Sequence, residues 1–174
     1  MLVFLTGYMG SGKTEIGHHL ANALGVPLLD MDSLLEIRFG MPLHDFFDKM
    51  SEAAFRKAEK DLLQKLCAFS RGVVATGGGS LVDQENMQLA LGTGFVVFID
   101  TDPFMLHSRL LPEKHDRPLL SQVADDQLFD FILRHRAERL GAYEQAHLIF
   151  RPLSSNARDE ARRLLKILPF EIKH

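Results

Sequence analysis

Gly7-Tyr8-Met9-Gly10-Ser11-Gly12-Lys13-Thr14 is the stretch from which the rest of the chain is read. Its spacing, G-x-x-x-x-G-K-[ST], is that of a phosphate-binding loop. Glycines let the backbone curl so that successive N–H groups point inward and form an anion nest at a helix N-terminus. Lys13 adds a mobile positive charge for β- and γ-phosphates, and the Thr14 hydroxyl suits Mg²⁺. The context agrees: Leu2-Val3-Phe4-Leu5 is a buried-strand run, and Lys13 to Leu24 reads as a helix. The loop therefore implies that the chain binds a nucleoside triphosphate.

Composition limits what else the chain can be. At 174 residues it reads as one domain with a substantial core. Apolar residues make up 46% and charged residues 25%, the usual balance of a globular protein. A net charge of −3 argues against a general nucleic-acid or membrane-surface binder, while leaving room for a local basic site for a small anion. The single cysteine, Cys67, has no internal disulfide partner and reads as a small buried side chain, which suits a reducing compartment. Neither a signal peptide nor a transmembrane span is expected, so the cytoplasm is the expected location.

Outward from the loop, short apolar runs alternate with helical stretches. Strands are expected at 2–5, 27–30, 72–76, 94–100 and 147–150. Helices are expected after Asp32, over 42–50, from Ser51 to about Ser70, over 83–91, from Pro103 to about Leu111, over 125–141 and over 156–168. Residues 112–122, polar and broken by two prolines, read as a mobile loop. Alternation of this kind predicts an α/β fold with a parallel sheet covered on both faces. Gly7, Asp30, Gly77 and Asp100 would then all lie just beyond strand ends on one edge of the sheet. The loop, the acids and the glycine triplet are expected to converge on one cleft.

Four further groups carry chemistry. Asp30-Met31-Asp32, if extended, points two carboxylates to different sides, one for a metal and one for a phosphoryl acceptor; the plain alternative is that Asp32 is only an N-cap. Gly77-Gly78-Gly79 offers backbone N–H groups without side chains, so a ligand can approach closely, although alone it is also a flexible turn. Arg56, with Glu52 four residues before and Glu59 three after, is either a helix-surface ion-pair ladder or a guanidinium held for a carboxylate. Arg117, on the polar segment, can close over a triphosphate. The eight histidines show no metal-ligand spacing and read as surface or local residues.

In order along the chain, GYMGSGKT at 7–14, Asp30-Met31-Asp32, Glu52-x-x-Phe55-Arg56-x-x-Glu59, Gly77-Gly78-Gly79, Arg117-Pro118-Leu119-Leu120 and Arg139 four residues before Tyr143 resemble the shikimate kinase family. These are small P-loop kinases of aromatic amino-acid biosynthesis, and the resemblance spans nearly the whole chain. It implies a P-loop kinase fold, a five-stranded parallel sheet in the order 2-3-1-4-5 flanked by helices. A substrate-binding subdomain at about 33–60 and a lid at about 110–123 go with it. The implied reaction is ATP-dependent phosphorylation of the 3-hydroxyl of shikimate, giving shikimate 3-phosphate and ADP. ATP is assigned to Gly10, Ser11, Gly12, Lys13, Thr14 and Glu15, with Arg109 beside the adenine and Arg117 reaching the phosphates. Mg²⁺ is assigned to Thr14, and to Asp30 through water. The acceptor is assigned to Asp32, which meets the hydroxyls, to Arg56 and Arg139 for the carboxylate, and to Gly77, Gly78 and Gly79. Lys13, Asp32 and Arg117 are the implied catalytic residues, in a monomer that binds neither nucleic acid nor membrane.

Arg139-Leu140-Gly141-Ala142-Tyr143 has glycine where many relatives carry proline, and a looser helix end is expected there. Arg134 and Arg136 are the alternatives on the same stretch. Two other classes remain open on the residues themselves. Another small-molecule P-loop kinase, for gluconate or a nucleoside monophosphate, would share the anion logic without the later motifs. A regulatory ATP-binding module would bind nucleotide without turnover. A nucleic-acid-stimulated ATPase is disfavoured by the acidic balance.

Overall fold

The apolar runs at 2–6, 72–75 and 94–99 become the middle of a parallel sheet because both of their faces are covered. The computed structural model describes residues 1–169, without the side chains of Phe47 and Asp48. In chain order the elements are β1 (Leu2–Thr6), α1 (Lys13–Leu24), β2 (Leu28–Asp30), α2 (Met31–Phe39), α3 (Leu43–Lys49), α4 (Glu52–Leu66) and β3 (Gly72–Ala75). There follow α5 (Gln84–Thr93), β4 (Gly94–Ile99), α6 (Pro103–Glu113), α7 (Pro118–Ser121), α8 (Leu128–Tyr143), β5 (Leu148–Phe150) and α9 (Ala157–Ile167). The described strands form one five-stranded sheet, order β2-β3-β1-β4-β5, with every pairing parallel.

The two-residue period of β1 sorts its side chains between two cores. Val3 and Leu5 face α1 and α9, packing with Ile16, Leu20, Ala161 and Leu164. Leu2 and Phe4 face α4 and α5, packing with Leu63, Leu66, Met87 and Ala90. A third cluster gathers Leu106, Leu110, Leu120, Leu128 and Ile132 around Tyr8 of the phosphate loop. The fourth, with Leu35, Phe46, Phe55 and Ala58, joins α2, α3 and α4. β1 lies between β3 and β4, so the strand order reverses beside it and opens a crevice at the carboxyl edge.

Several expected boundaries move, each for a local reason. α2 starts at Met31, one residue before Asp32, because Asp30 is its N-cap and accepts from Ser33 N at 3.0 Å. α4 stops at Leu66 rather than near Ser70; three-residue bonds from Ala68 to Lys65 O and from Phe69 to Leu66 O tighten its end. α8 begins at Leu128, after a 3-10 turn at Asp125–Gln127, and passes through Gly141 to end at Tyr143. Residues 112–122 are not an irregular loop. α6 runs through Pro112 to Glu113, a 3-10 turn follows at Lys114–Asp116, and α7 opens with Pro118 at its first position. This segment is held by Leu120, fully buried in the third cluster, and by buried Lys114. The Lys114 ammonium donates to Val123 O at 2.8 Å and pairs with Asp125. Cys67 is half-buried at the edge of the α4–α5 core, which pushes its thiol pKa up.

Candidate active site

The loop between β1 and α1 holds its shape through three glycines with positive φ. Gly10 and Gly12 have φ of +75° and +89°, the left-handed region. A Cβ on Gly7, whose φ is +144°, would sit 2.6 Å from Ile99 O. Gly12 is also the N-cap of α1 and supplies no side-chain acceptor, so the first-turn N–H groups of α1 stay available to an anion. Thr101 Oγ1 donates to Ser11 O at 2.9 Å and ties the loop to the end of β4. The Lys13 ammonium donates to Gly7 O and Tyr8 O, both at 2.9 Å, and to Ser11 Oγ at 3.3 Å.

Two cavities adjoin this loop. The first, about 360 Å³, is lined by Gly10, Gly12, Lys13, Thr14 and Glu15, by Arg109, Glu113 and Arg117, and by Ser154, Ser155, Ala157 and Glu160. The second, about 350 Å³, is lined by Leu43, His44, Glu52, Phe55, Arg56 and Glu59, by Gly77, Gly78 and Gly79, and by Asp116, Arg117, Leu119 and Arg139. Met9, Asp32, Gly78 and Arg117 line both and form the wall at which they meet.

The two aspartates separate their duties, though not by pointing to opposite sides of a strand. Asp30 spends one oxygen capping α2 and accepts from Thr14 Oγ1 with the other, at 2.6 Å. The cap is thus Asp30 and not Asp32, which lies in the first turn of α2 and lines both cavities. Solvent reaches the Asp32 carboxylate through the cavity, but protein surrounds it closely. This desolvation pushes its pKa up to about 6 against the pull of Lys13, with Asp30 and Glu59 adding to the rise. Burial likewise lowers Lys13 to about 8, with Asp32 opposing the fall and Arg117 assisting it.

The ladder reading of Arg56 fits one partner only. Glu52 is a surface acid at 3.2 Å, whereas the Glu59 side chain is 3% exposed and takes Arg56 Nη1 at 2.5 Å. The other oxygen of Glu59 accepts from Ser80 Oγ at 2.5 Å, and Asn86 Nδ2 holds Ser80 O at 2.9 Å. Arg56 is therefore aimed at the cavity by a buried network. The glycine triplet has ordinary φ, so space rather than backbone freedom requires it. A Cβ on Gly77 would meet Ser80 Oγ at 2.8 Å and Asp32 Oδ1 at 2.9 Å; one on Gly79 would meet Arg56 Nη1 at 2.8 Å.

Of the three arginines on α8, Arg139 enters the second cavity and donates to Gly78 O at 3.3 Å, beside Tyr143 Oη at 2.5 Å. Arg136 is spent on Asp100, and Arg134 reaches Asp130 O at 3.4 Å. Asp100 also pairs with Arg151 at 2.9 Å and does not join the cleft. Ser11 is fully buried, with its hydroxyl turned to Lys13. Arg109 holds Gly10 O at 3.0 Å from the rim of the first cavity. Arg117 Nη2 contacts Glu113 at 2.8 Å, and its buried Nε has no partner.

Tyr143 entered the sequence reading only as the end of a motif, and Ser80 and Glu160 not at all. Tyr143 and Ser80 act through partners far along the chain, Gly78 and Glu59, and Glu160 through the folded segment between β5 and α9. Tyr8 belongs with them, because its buried hydroxyl meets His135 Nδ1 at 2.8 Å. Among the described residues no three His, Cys, Asp or Glu side chains cluster as a metal site, and no helix is long and apolar enough to cross a membrane. His174 lies outside the described residues.

A cavity for phosphates and a cavity for a small anion, sharing one wall, are what a P-loop kinase of small molecules requires. The family model for shikimate kinase matches residues 9–169, and the chain belongs to that family. A shikimate kinase of Bacteroides fragilis is 41% identical over 85% of this chain and 83% of its own length. The crystal structure of the Bacteroides thetaiotaomicron shikimate kinase superposes with a TM-score of 0.88 at 36% identity, covering 98% of this chain and 99% of its own. That of the Acinetobacter baumannii enzyme, in complex with shikimate, has a TM-score of 0.84 at 32% identity over 95% and 90% of the two chains. A gluconokinase from Sinorhizobium meliloti, at 17% identity and TM-score 0.52, shares the fold alone.

Proposed function

We infer that this chain transfers the γ-phosphoryl group of ATP to the 3-hydroxyl of shikimate. The observation that carries the reading is the shared wall: Asp32 and Arg117 border both cavities, so an acceptor hydroxyl in one can face a phosphate in the other. Shikimate is a polyhydroxylated carboxylate, and its complements are arginines and a hydrogen-bond-accepting acid. Arg56 and Arg139 bind the carboxylate, and Asp32 accepts from the attacking hydroxyl. The hydroxyl oxygen attacks the γ-phosphorus, the bond to the β-phosphate oxygen breaks, ADP leaves, and the hydroxyl proton passes to Asp32. The loop N–H groups, Lys13 and Arg117 hold the phosphates, while Glu15 and Arg109 flank the nucleotide.

Thr14 Oγ1 and Asp30 Oδ2, 2.6 Å apart, are hard oxygen donors that fit an ion keeping most of its waters. Mg²⁺ held by Thr14, with Asp30 acting through water, would neutralise phosphate charge. Residues 33–60, which contribute the fourth apolar cluster, act as the acceptor subdomain, and 110–123 act as the lid. The same reading makes the protein a cytoplasmic monomer that binds neither nucleic acid nor membrane.

Arg56→Ala is expected to raise the KM for shikimate roughly 10- to 100-fold, the worth of a charge-assisted contact, with a smaller change in kcat. Unchanged kinetics would remove Arg56 from the carboxylate site. Gly79→Ala pushes the same guanidinium aside, and the expected result is a several-fold rise in the KM for shikimate with that for ATP unmoved. The reading as a whole is tested by ADP release with Mg²⁺ and shikimate, gluconate, nucleoside monophosphates or no acceptor, with product mass checked. Shikimate-dependent turnover is expected; its absence in protein that binds ATP would overturn the acceptor assignment.

A further inference from the structure

Glu160 is an acid on α9 that the reaction does not use, yet it is 2% exposed and borders the nucleotide cavity. Its Oε1 accepts three hydrogen bonds from one short segment: Leu153 N at 3.1 Å, Ser154 N at 2.9 Å and Ser154 Oγ at 2.9 Å. Its Oε2 pairs with Arg163, whose guanidinium also lies over the Phe150 ring, 5.2 Å from the centroid. Ser154 and Ser155, on the segment it gathers, line the same cavity as Arg109 and the phosphate loop. With the phosphates at Gly10 to Thr14 and the acceptor side at the shared wall of Asp32 and Gly78, the remaining lining, Ser154 and Ser155 among it, is left for the nucleoside end of the ligand.

We propose that Glu160 is a positioning residue for nucleotide-base selection, a role that rests on the ATP-dependent reading above. Two consequences follow from its bonds. The Ser154 segment has no regular secondary structure between β5 and α9, so a buried carboxylate fixes what would otherwise be loose. It also withdraws the donors of Leu153 and Ser154, since both N–H groups and the hydroxyl are committed to Oε1. Ser154 Oγ in turn accepts from Asn156 N at 3.2 Å. Ser154, the one of the two that lines the cavity, is left with its carbonyl oxygen, an acceptor that suits a base edge donating through an exocyclic amine. A 6-oxo purine presents an acceptor at that edge and meets no donor from Ser154.

The test compares wild type, Glu160→Gln and Glu160→Ala, reading steady-state kinetics with ATP and GTP and, separately, the calorimetric affinity for ADP and GDP. Wild type is expected to prefer the adenine nucleotide in both. Glu160→Ala is expected to raise the KM for ATP about tenfold, to narrow the adenine-to-guanine preference by a similar factor, and to leave the KM for shikimate within about twofold. Glu160→Gln keeps the volume and one acceptor, so it shifts in the same direction by less. Equal rises in both substrates' KM would mark a merely structural residue and overturn the proposal, as would an unchanged base preference in either folded variant. The calorimetric arm needs no acceptor. Selectivity lost there, without shikimate turnover in wild type, would sustain the role of Glu160 and overturn the acceptor reading instead.

Discussion

Lys13→Met is expected to lower kcat by about 10³-fold or more, in the range seen when a single positive or hydrogen-bonding group is taken from a transferring phosphoryl or oxyanion. Lys13 is the buried cation of the loop, and three bonds to Gly7 O, Tyr8 O and Ser11 Oγ hold it where the phosphate cavity begins. Methionine keeps the chain length and removes the charge. Transfer between oxygens offers little covalent chemistry to the protein, so the loss falls on charge stabilisation in the transition state. Single-turnover kinetics separate this from weakened ATP binding. A variant retaining a tenth of the wild-type rate would show that Arg117 and the loop N–H groups suffice without Lys13.

Asp32→Asn has the second large effect, a fall in kcat of roughly 10²- to 10⁴-fold, the span of a positioned proton acceptor. Its pH signature is specific. With Asp32 titrating at about 6 and Lys13 at about 8, kcat/KM for ATP in the wild type falls on the acid side as Asp32 takes up a proton. It falls on the alkaline side as Lys13 loses one. Asp32→Asn removes the acid limb and leaves the alkaline one. Stability moves the other way. A carboxyl whose pKa rises from 3.8 to about 6 on folding stabilises the native state at low pH and loses that contribution as pH climbs through the window. The Tm advantage of Asp32→Asn over wild type is therefore expected to grow between about pH 4 and pH 6. Unchanged turnover with a normal acid limb would reduce Asp32 to a binding residue.

The fold was legible where one local pattern decided it. Gly7 to Thr14 needs a strand before it and a helix after it, and the runs at 72–75 and 94–99, short, continuously apolar and opened by glycine, read as covered parallel strands. Less legible was everything set by partners distant in the chain. Residues 112–122 looked like loop because Pro112 and Pro118 punctuate them, but the segment is made helical and anchored by Leu120 in a core built from α6 and α8. Asp100 stood at a strand end like Asp30, yet Arg136 and Arg151 claim it. Arg134, Arg136 and Arg139 differ little as sequence; helix phase and the carbonyl of Gly78 distinguish them.

By itself, the sequence determined the phosphate loop, the parallel sheet and the family, because each rests on backbone geometry or an ordered set of motifs written into contiguous residues. Tertiary structure alone decided which polar side chains are free to act. Glu59 is buried under Arg56 and not on a surface, Asp30 caps a helix while Asp32 faces the cleft, and Glu160 is folded inward against the wall of the nucleotide cavity. Burial and pairing depend on what the fold brings alongside, and a carboxylate's chemistry is set by those neighbours rather than by its place in the chain.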